Sequence, residues 1–336
     1  MSENFLVFHS LNWVLELFNM KVFASHNPNP ELRAQSSAGG VFSVLAETVL
    51  KHGGVVYGAA FDDNWNIVYR RVDSFDQIDC LRRSKYAYGK IGNSIKEALS
   101  DLQEGKKVLF SGVPCQVAAM RKLAGESQNL LLVEVVCHGA PKHEYWEIYL
   151  SELCQHLKKE VSEIESINFR DKRTGWKNYS FTIKFKDGKE FSQPHDDNLY
   201  MRAFIMDLSL REPCFECNFK YPSGTQADIT LGDFWGISQI APEIDNNLGT
   251  TLIIARTIKG ESAVKKLQNL RNILFDEAVK YNKAIVLPPL KPASFNAFIK
   301  FVKENTFMSS LNRFAARPIL QTIRIKIARF KYRLLK

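Results

Sequence analysis

Strand-like and helix-like segments alternate over about the first 160 residues of the chain. Four apolar, β-prone runs read as strands: KVFAS, GVVYGAAF, KVLFSG and LLLVEVV. Three segments between or after them carry apolar residues at helical spacing: VFSVLAETVLKHG, NSIKEALSDLQEGK and QVAAMRKL. This order predicts an α/β fold with a mixed-sheet α/β core. Shorter β-type runs follow (ESINFRDK, YSFTIKF and KEFSQP), and they predict a second α+β part interlocked with that core.

The chain has 336 residues, more than most single domains contain. We expect an N-terminal extension (1–20), an N-terminal domain (21–120), a C-terminal domain that carries most of the cysteines (121–290) and a basic helical tail (291–336). No apolar run reaches the roughly 20 residues of a membrane-spanning helix. The N-terminus also lacks a basic start and a small-residue cleavage site, so we expect a cytoplasmic protein.

The six cysteines are too few for a disulfide scaffold in a chain of this length. Cys115 falls where a strand passes into a helix, and the amides of a helix N-terminus favour a thiolate there. Cys137 ends the next apolar strand, and Cys214 and Cys217 form a C-x-x-C pair in a loop. Four thiolates suit a tetrahedral zinc site or an iron–sulfur cluster, and the two single cysteines favour a cluster between sheet edge and loop.

A plainer interpretation of the cysteines also stays open. Cys115 and Cys137 would then be buried apolar thiols, and only the C-x-x-C pair would bind a metal. Cys80 and Cys154 lie on helical stretches without ligand-like neighbours, so we expect them to be core or surface thiols.

Two loops have the residue types of a flavin or nucleotide site. Ser36–Gly40, SSAGG, precedes a helix, where glycine permits close approach of the backbone and the helix terminus attracts phosphate. The stretch RRSKYAYG places Lys85 directly before Tyr86 and three residues before Tyr88, which suits stacking on an aromatic cofactor. An ordinary helix-capping loop and a solvated loop would look much the same. Asp233, in LGDFWG, reads as a capping residue of a core turn or as part of a site.

Seven motifs occur in one order and together resemble the coenzyme F-420 hydrogenase/dehydrogenase beta-subunit family. They run from about Lys21 to about Leu290: SSAGGVFSVLAETVLKHGGVVYGAAF, SKYAYG, VLFSGVPCQVAAM, VEVVCHGAP, INFRDKRTGWKNYSF, CFECNFK and DITLGDFWGI. The resemblance implies FAD, a [4Fe-4S] cluster and electron transfer between iron–sulfur carriers and a two-electron acceptor.

The resemblance also implies roles for individual residues. The cluster ligands would be Cys115, Cys137, Cys214 and Cys217, and the flavin-binding residues would be Ser36, Ser37, Gly39, Gly40, Ser84, Lys85 and Tyr86. The sequence departs from the family pattern at Ala38, at Arg83, where glycine is usual, and at Gly89, where serine is common. These departures affect the flavin site more than the cluster.

No cysteine precedes Cys80, so we expect the N-terminal ferredoxin domain of many bacterial relatives to be absent. Electrons would then come from a separate ferredoxin-like carrier. Bacterial relatives are often encoded among surface-polysaccharide genes, which connects the chain with polysaccharide biosynthesis. Two alternatives remain: a non-redox zinc-binding protein that uses the same thiolates, and a degenerate family member that acts as a scaffold in that biosynthesis.

The C-terminal segment carries the positive charge of the chain. From Leu287 onwards there are eleven Lys and Arg residues against one acidic residue, while the rest of the chain has a net charge near −1, so nucleic acid is not an expected partner. A helix after Pro318 would be amphipathic. The segment could be a solvated chain end, a surface that contacts the inner membrane, or a docking site for the electron carrier. Its apolar stripe would be Ile319, Ile323, Ile327 and Phe330, flanked by Arg324, Arg329, Lys331 and Lys336.

Overall fold

A mixed eight-stranded sheet forms the centre of the molecule, and a three-stranded antiparallel sheet lies beside it. The computed structural model describes residues 20–221 and 224–317. This architecture confirms the predicted α/β class with its mixed sheet. The strands are β1 (Lys21–Ser25), β2 (Val55–Phe61), β3 (Ile67–Val72), β4 (Val108–Gly112), β5 (Leu130–Val135), β6 (Ile164–Asp171), β7 (Ser180–Phe185), β8 (Glu190–Pro194), β9 (Ile229–Asp233), β10 (Thr251–Ala255) and β11 (Arg271–Asn272).

The order of the large sheet is β11-β1-β10-β9-β5-β4-β2-β3. Its four central strands, β2, β4, β5 and β9, are parallel to one another. β10 runs antiparallel to β9, and β1 runs antiparallel to β10. β1 therefore points the same way as the parallel block, and five strands have their carboxyl ends at one edge of the sheet. In open α/β sheets that edge is where ligands bind.

Helices cover the sheets and begin where the sequence provides a start. Pro114 occupies the first turn of the helix after β4, where its missing N–H costs no hydrogen bond. The helices are α1 (Pro30–Ala34), α2 (Val41–Leu50), α3 (Ser94–Gln103), α4 (Pro114–Ala124), α5 (His143–His156), α6 (Leu199–Ile205), α7 (Ile237–Ile240), α8 (Ile258–Val264), α9 (Phe275–Tyr281), α10 (Phe295–Glu304) and α11 (Phe307–Ala315), with short 3₁₀ segments between them.

The core beside the small sheet is rich in aromatic residues. The ring of Trp146, on α5, lies 4.8 Å from that of Phe169 on β6 and 5.4 Å from that of Tyr200 on α6. Phe298 and Phe307, on α10 and α11, are buried in the same cluster. The part of residues 291–336 that the structure describes is therefore helical and packs into the core. The predicted amphipathic stripe after Pro318 lies outside the described residues.

Capping residues determine where two of these helices begin. Helix α1 takes in the polar segment ELRA, because Pro30 opens the helix and Asn29 accepts hydrogen bonds from two of its N–H groups. Helix α8 begins at Ile258, because the side chain of Thr257 accepts a hydrogen bond from Gly260 N. The large sheet takes strands from both sides of residue 120, and the predicted domain limits stay a prediction. No helix within the described ranges is long and apolar enough to cross a membrane.

Candidate functional site

A cavity of about 590 Å³ opens at the carboxyl edge of the parallel strands. Its wall includes Gly112 at the end of β4, Cys137 just after β5 and Asp233 at the end of β9. Arg170 on β6 and Tyr179, which directly precedes β7, also line the cavity. The volume falls within the usual range of small-molecule and cofactor sites.

The Ser36–Gly40 loop is held rigidly between β1 and β10. Gly39 N donates to Thr251 Oγ1 at 3.0 Å, and a Cβ atom on Gly39 would lie 2.7 Å from Ser25 O and from Thr251 N. Gly40 has a φ of 82° and is the N-cap of α2. Every residue of the loop except Gly39 lines the cavity, as does the first turn of α2, whereas Gly39 packs against the strands.

The two predicted flavin loops are bonded directly to each other. Ser37 Oγ accepts a hydrogen bond from Ser84 N at 2.6 Å and from Ser84 Oγ at 2.9 Å. Ser84, Lys85 and Tyr86 all line the same cavity as Ser37. Arg83 adopts a φ of 69°, a conformation that favours glycine. The structure thus brings the two loops together and places Arg83 at a position where glycine would be less strained.

Lys85 is the titratable group of these loops. Its Nζ donates to Arg82 O at 2.8 Å and lies 5.7 Å from the centre of the Phe61 ring. Burial lowers the pKa of Lys85 to about 7; nearby Cys80 opposes this shift and Arg83 adds to it. An amine with that pKa exchanges a proton near neutral pH.

Cys115 is the second residue of α4, as the sequence predicts, and the residue after it braces the turn. The buried amide of Gln116 accepts a hydrogen bond from Tyr69 Oη at 2.6 Å and donates to Gly89 O at 2.9 Å. Gly112 is required before this turn because a Cβ atom there would overlap Tyr69 Oη. These contacts fix the position of the cysteine relative to the sheet edge.

The other three predicted ligands lie close to this turn. Cys137 follows β5 and lines the cavity, and Lys220 Nζ donates to Cys137 O and to Ala284 O. Cys214 lies in a 3₁₀ helix and Cys217 directly follows it; both are half-buried. Lys220 itself is buried and comes three residues after Cys217, so a cation accompanies the C-x-x-C pair.

The charges of the four cysteines act on one another. Burial raises the pKa of Cys137 to about 12; Lys220 opposes this, and Cys214 and Cys115 add to it. Burial also raises the pKa of Cys115, and Cys217 and Cys214 raise it further. The expected thiolate preference at the helix terminus is therefore outweighed by burial and neighbouring sulfur. A bound metal cluster would reverse that balance, so the chemistry of these four thiols would suit an iron–sulfur cluster.

Other potential ligands lie apart from this group. Cys154 is buried in the aromatic core, and Cys80 packs against a separate hydrophobic cluster. Across residues 20–221 and 224–317, no three His, Cys, Asp or Glu side chains are grouped so that they could hold a single metal ion, and this includes Cys115, Cys137, Cys214 and Cys217.

Arg170, which the sequence patterns did not single out, is the main charged group in the cavity wall. Its Nη1 donates to Asp233 Oδ2 at 2.6 Å, and its guanidinium carbon lies 4.3 Å from the Tyr179 ring centre and 5.0 Å from that of Trp235. The Nε and Nη2 atoms are buried without a hydrogen-bond partner in the part of the chain that the structure describes. Those two N–H groups form a fork that suits an anionic ligand, which supports the fit of an anionic cofactor such as FAD.

Asp233 shapes this wall from β9. Besides its bond to Arg170, it accepts a hydrogen bond from Trp176 Nε1 at 2.9 Å, and Trp176 stacks on Trp235 with 4.9 Å between ring centres. Its carboxylate thus organises the wall rather than simply capping a turn. The FRDKRTGW run that supplies Arg170 and Trp176 was visible in the sequence, but their convergence on Asp233 depends on the tertiary fold.

Comparisons with known proteins give the chain a family and a fold. Residues 105–280, about half of the chain, match the family described as the C terminus of the coenzyme F420 hydrogenase/dehydrogenase beta subunit. No curated protein matches the chain in sequence. Among solved structures, it is similar to a chain of the xenon-derivatised F420-reducing [NiFe] hydrogenase complex from Methanosarcina barkeri, at 17% identity and a TM-score of 0.52. The similarity covers 87% of this chain and 90% of that one, and at such low identity it shows a shared fold.

Proposed function

The chain belongs to the coenzyme F420 hydrogenase/dehydrogenase beta-subunit family, and we propose that it is an iron–sulfur flavoprotein oxidoreductase. It would pass electrons between a [4Fe-4S] cluster held by Cys115, Cys137, Cys214 and Cys217 and an FAD. The outer partner of this transfer is a two-electron acceptor or a separate ferredoxin-like carrier. The family consists of subunits of hydrogenases and dehydrogenases, so its general class is redox.

One observation carries this proposal: a single cavity is lined by both flavin-type loops and by Cys137. A flavin bound between the Ser36–Gly40 and Ser84–Tyr86 loops would therefore adjoin a ligand of the cluster. When bound, the cluster supplies one-electron steps and the flavin supplies two-electron steps.

Different residues of the chain would bind different parts of the FAD. The N-terminus of α2, with Ser36 and Gly40, suits the pyrophosphate, because its free N–H groups and dipole attract negative charge. Arg170 offers a buried cation to a second anionic group of the ligand. Lys85 Nζ holds or releases a proton near neutral pH. The rings of Tyr179 and Trp235 pack against the Arg170 guanidinium and limit the access of water to it.

A separate carrier fits the placement of the C-x-x-C segment. Cys214 and Cys217 are half-buried and lie among exposed residues such as Glu212 and Asn218, so a partner protein can approach the cluster from that side. The related solved chain comes from a hydrogenase complex, which supports association with other proteins. A link to surface-polysaccharide biosynthesis stays a prediction, as does the place of the protein in the cytoplasm.

Anaerobic purification followed by iron, sulfide, zinc and flavin analysis tests the proposal. We expect about four iron and four sulfide per chain together with FAD. Cys137→Ser should lose most of the iron, whereas the control Cys80→Ser should keep it. Zinc without sulfide would support the structural zinc alternative, and protein without metal or flavin would support the scaffold alternative; either result overturns the redox proposal.

A further inference from the structure

Lys172 connects the small sheet to the Ser36–Gly40 loop and its neighbours by hydrogen bonds. It directly follows β6, and its Nζ donates to Arg33 O at 2.7 Å, to Ala38 O at 3.0 Å and to Leu248 O at 2.9 Å. An ammonium group has three N–H donors, so all of them are in use. The three acceptors belong to the end of α1, to the Ser36–Gly40 loop and to the segment before β10.

The neighbouring contacts make this junction tight. Arg33 Nε donates to Gly249 O at 2.8 Å, and Arg33 Nη2 donates to Asn246 Oδ1 at 2.9 Å. A Cβ atom on Gly249 would lie 2.7 Å from Ala38 O, so the two loops touch without room for a side chain. Ala38 sits in the middle of the serine–glycine loop, and its carbonyl is oriented by Lys172.

We propose that Lys172 is a positioning residue for the cofactor: its ammonium group fixes the Ser36–Gly40 loop in the conformation that receives the anionic part of the flavin. This inference rests on the proposed function, because it concerns the same cavity. Lys172 does not line that cavity and acts through the backbone of the loop. Its removal should therefore loosen the binding of FAD without removing any group that contacts it.

The protonation of Lys172 gives the inference a pH signature. Burial lowers the pKa of Lys172 to about 7; Arg170 on β6 and Arg33 on α1 lower it too, and Asp233 on β9 raises it. The neutral amine of Lys172 has only two N–H donors for three carbonyls, so one of the three hydrogen bonds is lost when the lysine loses its proton. If FAD binds the form of the loop that the charged lysine holds, a protein with neutral Lys172 takes up a proton when FAD binds. The affinity of the protein for FAD should therefore fall by up to about tenfold per pH unit above pH 7.

Titration of the full chain with FAD from pH 6 to pH 9 tests the inference. For the wild type we expect the dissociation constant to rise with pH, starting near pH 7. Lys172→Met should bind FAD about tenfold more weakly at pH 6.5, with a flatter pH dependence. Lys172→Arg, which stays charged throughout, should lose the part of the pH dependence that Lys172 causes and keep any part due to Lys85 in the cavity, whose pKa burial also lowers to about 7. Lys184→Met, an exposed lysine on β7, is the matched control and should behave as the wild type.

The outcomes separate this inference from the function on which it rests. A wild type that binds no FAD at any pH overturns the proposed function and, with it, the role of Lys172. A wild type that binds FAD with the same affinity from pH 6 to pH 9 overturns the inference alone, even if a variant fails to fold. Equal affinities and slopes for Lys172→Met and the wild type would do the same.

Discussion

At the scale of single residues, the cavity wall contains a buried arginine. Arg170 lies near the end of β6 and is almost fully buried. Burying a cation is costly unless it is paired, and Arg170 has one carboxylate partner for a fork of five donors. Such an unbalanced site is typical of a position that a ligand completes.

Arg170→Met should weaken FAD binding by about 10- to 100-fold, because a hydrogen bond to a charged group contributes about 1.5–3 kcal/mol. A fluorescence titration of FAD against the purified variant measures the change. The matched control is Arg173→Met, since Arg173 belongs to the same segment but is exposed and pairs with Asp171 and Glu190.

Folding of the Arg170 variant has to be followed as well, because Asp233 would lose the Arg170 donor and keep Trp176 as its side-chain donor within the described residues. Urea unfolding of the same samples separates a loss of stability from a loss of affinity. Unchanged FAD affinity in a folded Arg170→Met protein would show that the fork does not face the cofactor.

Single residues also mark the limit of what the sequence predicted. Cys115 and Cys137 were placed correctly at the edge of the sheet, because an apolar run shows where a buried strand ends. The packing of the Arg170 guanidinium against the rings of Tyr179 and Trp235 was not predicted, because those residues come from different parts of the chain. The raised pKa of Cys115 was not expected either, since burial depends on tertiary packing rather than on helix position.

At the scale of secondary-structure elements, the turn from β4 into α4 sets the position of the candidate cluster. The helix starts at Pro114, and the buried side chain of Gln116 joins it to Tyr69 on β3 and to Gly89. Strand, helix and loop are thus coupled through one amide. Sequence patterns located both elements, yet nothing in a local pattern indicates which distant groups Gln116 would bind.

Gln116→Ala should reduce both stability and iron content. It leaves a buried Tyr69 hydroxyl and the Gly89 carbonyl without their partners, at a cost of about 1–3 kcal/mol for each buried group. Urea unfolding and iron analysis of the anaerobic protein measure the two effects. Gln103→Ala, at an exposed position on α3, should change neither; a Gln116→Ala protein with full stability and full iron content would contradict the bracing role.

At the scale of the whole molecule, charge is divided unevenly between body and C-terminus. The body is nearly neutral, whereas residues from Leu287 onwards carry eleven basic groups and one acidic group. The structure places α10 and α11 in the aromatic core, and Arg317 pairs with Asp196 and Asp197 at the end of the second described range. The basic segment beyond it thus starts from a fixed point beside α6.

Deletion of residues 318–336 should weaken binding to anionic vesicles or to an acidic ferredoxin, and the difference should shrink at high salt. Vesicle co-sedimentation and a ferredoxin titration, each at low and high ionic strength, measure the loss. The shortened protein should keep its FAD and iron, because the cavity and the four cysteines lie before residue 290. Equal binding of both proteins at low salt would exclude a docking role for the segment.

The position of β1 in the large sheet determines when the cavity can form during synthesis. Lys21 pairs with Ala255 and Ser25 pairs with Thr251, so β1 cannot pair with β10 until more than 200 further residues have been made. Such distant pairing slows folding, since a long loop has to close first. The Ser36–Gly40 loop contacts both Ser25 at the end of β1 and Thr251 at the start of β10. A nascent chain on the ribosome therefore lacks the complete cavity until most of its length has been translated, and any ligand of that cavity would bind at a late stage of maturation.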